Sequence, residues 1–354
     1  MPIERATTPP ASWYVREELL EHERDTVFRR GWVFACRTDQ VREPGACVAA
    51  DVLGDAYLVV RGSDGELRAF HNVCRHHAAR LVGEEACVDA LVCPYHGWTY
   101  SLDGRLKSAP RSAGMEGLGT DALGLVRVHV EVWGPLVFVH AGEPRESLAA
   151  QLAELAPLLD PKECAGLRWV FRRRYPMRCN WKVFVDNYLD GGYHIAHLHK
   201  GLASQLDLAT YRTRVFERFN VQTCDAHREP GVELGRDLRA RIGDGAVYAW
   251  LYPNLMLNRY GPTLDTNLVL PVGVDRCEVV FDYWFDGTAE EAEAFVQDSI
   301  ETSDETQQED VWISEQVQRG LASPAYDRGR YAPEVEHGMH HFHRLLAADL
   351  AATR

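Results

Sequence analysis

The pattern of apolar and polar positions changes character twice along the chain. After Pro9 and Pro10, residues 12–25 carry a helical period with acids close behind Trp13 and Tyr14. From Trp32 to His140 the pattern shortens to β-type runs separated by Gly and Asp. Among these are residues 56–60, 66–70, 91–93, 98–102 and 136–140. Asp64-Gly65 and Asp103-Gly104 are hairpin-turn sequences. A helical stretch over 147–159, stopped by Pro161, marks a joint. Beyond it, 180–199 is helical in its first half, and 246–258, 266–271 and 277–285 read as long strands. Residues 288–318 read as an acidic helix or helix pair stopped by Gly320. Strands followed by helices, rather than strict alternation, predict an α+β second half behind a small all-β domain.

Composition narrows the classes. The chain has 354 residues, with 38 basic and 52 acidic side chains giving a net charge of −14. That balance excludes general nucleic-acid binding, which needs a basic footprint, and an anionic membrane would repel it. No run approaches the roughly 18 apolar residues of a spanning helix. The N-terminal MPIERATTPPASWY has neither an apolar core nor an Arg/Ser-rich transit character, so the expected location is the cytoplasm. Nine scattered cysteines form no disulfide framework.

Two of those cysteines sit beside histidines. The sequence reads Cys74-Arg75-His76, sixteen residues, then Cys93-Pro94-Tyr95-His96. Zinc binds Cys2His2 sets well, but zinc fingers usually group Cys with Cys and His with His. Here each arm is Cys-then-His, which places two sulfurs on one iron and two imidazoles on the other, the ligand set of a Rieske [2Fe–2S] cluster. His77 adjoins His76, but the C-x-H spacing selects His76.

A second constellation lies in Asn180-Trp-Lys-Val-Phe-Val-Asp-Asn-Tyr-Leu-Asp-Gly-Gly-Tyr-His-Ile-Ala-His-Leu-His199. Two imidazoles and a carboxylate with open coordination positions make the facial triad that binds Fe(II) and activates dioxygen. His194 and His197 share a helical face, whereas His194 and His199 are about 140° apart on an ideal helix. The second pair works only if the helix breaks, and Gly191-Gly192 makes a break plausible; spacing leaves both pairs open. Glu309, Asp310 and Glu315 are carboxylates on the acidic helix from which a third ligand can come. The run His337-Gly-Met-His340-His341-Phe-His343 reads as structural.

The Rieske arms followed by Asn-Trp-Lys…Asp-Asn…Tyr-His…His resemble the α subunits of Rieske non-haem iron oxygenases over essentially the whole chain. The strings at 180–203, 246–271 and 323–346 are similar to choline monooxygenase and its bacterial relatives in that family. The resemblance implies a lead-in over 1–30 packed on the catalytic domain, a Rieske domain over 31–145 and a helix-grip catalytic domain over 146–354, assembled as a homotrimer. It implies Cys74, His76, Cys93 and His96 as cluster ligands, and His194, His199 and Asp310 as ligands of a mononuclear Fe(II), with Asn187 close to the iron. Many members carry a bridging carboxylate three residues before the first iron histidine, where this chain has Gly191. Asp190, ahead of Asp186 and His197, is the expected substitute.

The implied reaction is oxidation of a C–H bond with O2, choline to betaine aldehyde first. Alternatives are oxidative N-demethylation of glycine betaine or a related betaine, hydroxylation of an aromatic ring, and electron transfer without catalysis. No dinucleotide fingerprint is present, so NAD(P)H must be oxidised by a separate flavin or iron–sulfur reductase or through a ferredoxin. For a small cationic substrate, Tyr248, Trp250 and Tyr252 offer aromatic rings at strand period two, and Tyr283 offers another on a second strand.

Overall fold

The computed structural model describes residues 1–116, 122–227, 242–286 and 292–352. The chain divides into two units, Phe28–Ala150 and Met1–Val27 with Gln151–Arg354. The first boundary falls three residues ahead of the expected domain edge. The second falls inside the helical stretch that marks the joint in the sequence.

The Phe28–Ala150 unit is all-β. Its strands are β1 (Val33–Arg37), β2 (Ala46–Val52), β3 (Asp55–Arg61), β4 (Leu67–His71), β5 (Glu85–Cys87), β6 (Leu91–Val92), β7 (Thr99–Tyr100), β8 (Leu106–Ser108), β9 (Arg127–Trp133) and β10 (Leu136–His140). Seven of them pair in the order β1-β10-β9-β4-β3-β2-β5, and β6-β7-β8 form a separate small sheet. Gly104 turns β7 into β8 at φ +88°, and a Cβ there would run into the Phe70 ring, so only glycine fits. Cys74 and Cys93 are packed in the core with Leu91, Trp98, Tyr100 and Leu106.

The other unit is built on an antiparallel sheet of β11 (Arg168–Met177), β12 (Arg212–Val215), β13 (Phe219–Asp225), β14 (Gly245–Leu251), β15 (Leu255–Tyr260), β16 (Thr263–Gly273) and β17 (Arg276–Phe285). Its order is β11-β17-β16-β15-β14-β13-β12, a meander with the first strand added beside the last. The stretch 246–258 is therefore two strands and not one. The chain reverses at Tyr252–Asn254, where Pro253 has no amide hydrogen for a ladder. Helices include α1 (Glu17–Glu23), α2 (Trp181–Tyr188), α3 (Ile195–Leu198), α4 (Ala292–Leu321) and α5 (His337–Ala351). The acidic segment is thus one helix over its described part; residues 288–291 lie outside the described residues. Among the described residues, no helix is long and apolar enough to cross a membrane.

Helix α2 sets the site's position. Asn180 caps it by accepting from the Lys182 N–H, and Gln318 on α4 accepts from the Asn180 N–H at 2.8 Å. Behind α2, Lys182 Nζ meets Glu23 Oε1 at 2.6 Å, and Trp181 Nε1 donates to Glu23 Oε2 at 2.8 Å. Both charges are buried, and burial pulls the Lys182 pKa down against the attraction of Glu23. Removing one partner leaves the other as an uncompensated buried charge. Lys182→Ala is therefore expected to destabilise this unit by about 3–5 kcal/mol, read from the shift of its denaturant midpoint. The double change Glu23→Gln with Lys182→Met is expected to recover most of that loss.

Candidate functional site

The two Cys-His arms adopt the same backbone hydrogen-bond pattern. The Cys74 N–H donates to Ala79 O, and the Ala78 N–H returns to Cys74 O; the Cys93 N–H donates to Trp98 O, and the Gly97 N–H returns to Cys93 O. Each loop closes through a residue with positive φ, Ala78 at +60° and Gly97 at +72°. These matched loops bring the His76 and His96 rings to 4.7 Å, with His76 stacked on Trp98 at 4.6 Å. His76 Nδ1 is buried with no hydrogen-bond partner among the described residues, an orphan that a metal bond would satisfy. Burial raises the Cys74 thiol, but hydrogen bonding to the Tyr100 hydroxyl and to the His76 backbone more than compensates, leaving it below its usual value. Two buried thiols and two neighbouring imidazoles fit a Rieske cluster. His77 is exposed, its ring 5.5 Å from that of His96.

In the other unit α2 ends at Tyr188, and Gly191 and Gly192 follow at φ +75° and +77°. A Cβ on Gly191 would run into the Val335 carbonyl oxygen, which forbids any side chain at that position. The turn frees Asp190 to cap the next segment. Its Oδ1 accepts from the Gly192 and Tyr193 N–H groups, and its Oδ2 accepts from the His194 N–H and pairs with His194 Nδ1 at 2.7 Å. His199 follows α3, with Nδ1 against Glu309 Oε2 at 2.6 Å and Nε2 against Asp310 Oδ1 at 3.0 Å. Asp310 Oδ1 also lies 3.9 Å from His194 Nε2 and accepts from Asn187 Nδ2 at 2.7 Å.

One ligand atom each from His194, His199 and Asp310 thus lie within 4.8 Å of one another. The geometry selects His199 over His197, which is exposed. In both imidazoles a carboxylate holds Nδ1, turning Nε2 toward Asp310. This is the orientation expected of metal-binding histidines. Burial disfavours a charged His199, but Asp310 and Glu309 outweigh it and hold the ring above its usual pKa. Two imidazoles and a carboxylate with room beside them fit a mononuclear Fe(II).

A cavity opens beside this triad, between the sheet and helices α2 and α4. Its aromatic lining is Phe184, Tyr188, Tyr211, Tyr248, Tyr260 and Phe281. Burial pushes the Tyr188 and Tyr211 hydroxyls well above the usual phenol value, so both stay neutral. Of the aromatic residues singled out in the sequence, Tyr248 lines the cavity and three do not. Trp250 is buried against Phe342 with its indole N–H on Pro253 O, Tyr252 packs under the Arg218 guanidinium, and Tyr283 is buried with its hydroxyl on Ser303. Period two gave the right face of β14 but not the depth along it. Asp186 is also away from the triad, held by Tyr14 and His343.

Three polar residues in one row with Tyr248 were not singled out in the sequence. Gln222, Tyr248, Asn258 and Asp265 face one another across β13 to β16, and all line the cavity. The signal was there: strands that bury one face rarely place Gln, Asn and Asp on it.

Three changes test the two centres. Cys93→Ala should remove the visible absorbance of the cluster, while Asp310→Ala should keep that absorbance and lose the mononuclear iron on metal analysis. Glu309→Ala should weaken iron binding about 10–100-fold in competition with a chelator, with the fold retained by circular dichroism.

Both units match known domain families. Residues 31–123 match the Rieske [2Fe-2S] domain, and 166–352 match the ring hydroxylating alpha subunit catalytic domain. The chain is 45% identical to the chloroplastic choline monooxygenase of Arabidopsis thaliana, over 99% of this chain and 84% of that protein. It is 31% identical to the carnitine monooxygenase oxygenase subunit of Escherichia coli (strain K12), over 97% and 94%. Among solved structures it is similar to the quaternary ammonium Rieske monooxygenase CntA in complex with L-carnitine, with a TM-score of 0.83, 26% identity and coverage of 98% and 96%. With a cluster-type arm pair and an iron-type triad in their respective domains, the chain belongs to the Rieske non-haem iron oxygenase α subunits, as a Rieske-type monooxygenase similar to choline monooxygenase.

Proposed function

We propose that this oxygenase acts on quaternary ammonium compounds and converts choline to betaine aldehyde hydrate. The balance is choline + O2 + 2 electrons + 2 H+ giving the hydrate and water. The observation that carries this reading is the tyrosine-rich cavity beside His194, His199 and Asp310, with no lysine or arginine among its described lining residues. Aromatic faces attract a trimethylammonium group, with about 0.5–2 kcal/mol per contact. Glycine betaine and carnitine bring a carboxylate that such a lining does not pair. The 45% identity to a choline monooxygenase, against 31% to a carnitine enzyme, supports the same choice.

We assign Cys74, His76, Cys93 and His96 to the cluster and His194, His199 and Asp310 to the iron. Held by these residues, the cluster would supply single electrons and the iron would supply the activation of dioxygen. The chain's own residues do the rest. Asp190 and Glu309 fix the two imidazoles, Asn187 holds the Asp310 carboxylate, and the tyrosines exclude water and seat the cation.

Asp190 takes the place of the bridging carboxylate that Gly191 cannot provide. A solved quaternary ammonium Rieske monooxygenase gives insights into inter-subunit electron transfer, and a homotrimer served by a separate cytoplasmic reductase or ferredoxin fits this reading. Asp190→Asn is then expected to leave the cluster reducible while slowing its oxidation by the iron site at least tenfold, followed by stopped-flow absorbance.

Substrate-dependent oxygen uptake with choline, glycine betaine and carnitine tests the substrate. Uptake with choline and an aldehyde product is expected. Release of formaldehyde would instead mark N-demethylation, and uptake with none of the three would overturn the reading. Tyr248→Leu is expected to raise the KM for choline roughly 2–30-fold, matching the loss of one ring contact.

A further inference from the structure

Two buried glutamine amides in the cavity wall have unmatched polar atoms. Gln307 is on α4, three residues before Asp310, so both project from one face about one helical turn apart. Gln307 is 2% exposed, and its Nε2 has no hydrogen-bond partner among the described residues. Gln222 is on β13, 1% exposed, beside Tyr248 in register. Its Nε2 donates to Tyr188 O, and its Oε1 has no partner among the described residues. Both residues line the cavity that holds the triad. Gln318, further along α4, is by contrast committed to structure through the Asn180 N–H. Buried polar groups are nearly always paired, so an unmatched pair in one cavity points to a ligand.

The polarity of the two ends is complementary to a bipolar cation. An acceptor oxygen lies at the wall of Tyr188 and Tyr248, where positive charge would be seated. A donor lies at the helix wall, close in sequence to Asp310. We propose that Gln307 donates from Nε2 to the hydroxyl oxygen of the substrate and thereby selects which carbon faces the iron ligands. This rests on the quaternary ammonium reading above and deepens it. With the hydroxyl tied one turn from Asp310, the carbinol carbon is the one presented to the triad, and the N-methyl groups stay among the rings. The side-chain amide of Gln307 is thus the specificity-determining group for an amino alcohol over a simple tetraalkyl cation. It also favours carbinol oxidation over N-demethylation.

The test compares choline with ethyltrimethylammonium, the same cation without the hydroxyl. Dissociation constants are measured by calorimetry on the iron-loaded protein without oxygen. The unsubstituted protein should prefer choline by about 10–100-fold, the discrimination that an unpaired buried donor enforces. Gln307→Met, nearly the same shape, should bring that preference to within about threefold, with circular dichroism and iron content unchanged. The product mixture of Gln307→Met should also gain formaldehyde. Gln307→Leu serves as a second variant, and Gln222→Leu should weaken both cations alike. A choline preference that survives in both Gln307 variants would overturn this inference alone. Binding of neither cation by the unsubstituted protein would overturn the quaternary ammonium reading and this inference with it.

Discussion

Two imidazoles five residues apart on a continuous helix point about 140° away from each other, so one metal cannot take both. Here the helix between them is only the four-residue α3: His194 caps its start and His199 caps its end at φ −100° and ψ 70°, outside the helical region, and both Nε2 atoms come to the Asp310 carboxylate. Upstream of both histidines, Gly191 and Gly192 in left-handed conformations separate α3 from α2, and the close approach of Gly191 to the Val335 carbonyl keeps that turn tight. Asp190 then satisfies the N–H groups that the new helical turn would leave unpaired, and the same carboxylate holds His194 Nδ1. One side chain therefore stabilises the chain reversal and sets the tautomer of a metal-binding ring. Glu309 does the second job for His199 from the next element, so α4 contributes to the triad twice, once through Asp310 and once through its neighbour.

The two centres are held by different kinds of rigidity. The Cys-His arms are short loops whose geometry comes from their own backbone hydrogen bonds, with the thiols in a packed core. Such a site is local and needs little from distant sequence. The triad gathers residues more than a hundred positions apart, and depends on α2 being fixed against α4. The Asn180–Gln318 bond does that fixing, and the buried Glu23–Lys182 pair ties α2 to α1 behind it.

This difference explains what was legible in the amino-acid sequence. The cluster arms were readable because ligand type, order and separation all lie within a few residues. The choice between His197 and His199 was not readable from spacing, since it turns on where α3 ends and on the approach of Asp310 from α4, which are tertiary properties. The resemblance to a family supplied the answer that geometry withheld, and the structure brings His199, not His197, to Asp310. Tyr248, Trp250, Tyr252 and Tyr283 show the opposite case. Alternation correctly predicts that Tyr248 and Trp250 share a face. Which of these rings reaches the cavity depends on where α5 covers the sheet, as Phe342 on Trp250 makes plain. The polar row of Gln222, Asn258 and Asp265 was visible as inward-facing polar positions, but it acquires meaning only once the strands are in register.

Burying that row has a cost, and the cost is what makes it selective. The Tyr188 hydroxyl donates to Asn258, whose amide donates to Asp265, and Tyr260 donates to the same carboxylate at 2.5 Å. These bonds hold the tyrosine rings at fixed angles, so the ordering entropy of the aromatic wall is met on folding and not on binding. A purely apolar pocket of the same shape separates similar ligands weakly, because one methylene changes affinity only modestly. A wall with buried polar atoms rejects any ligand that leaves them unmatched. The rigid rings set the position of charge, and the unmatched Gln307 amide sets the position of oxygen. Selectivity then comes from the distance between those two positions rather than from the strength of either contact.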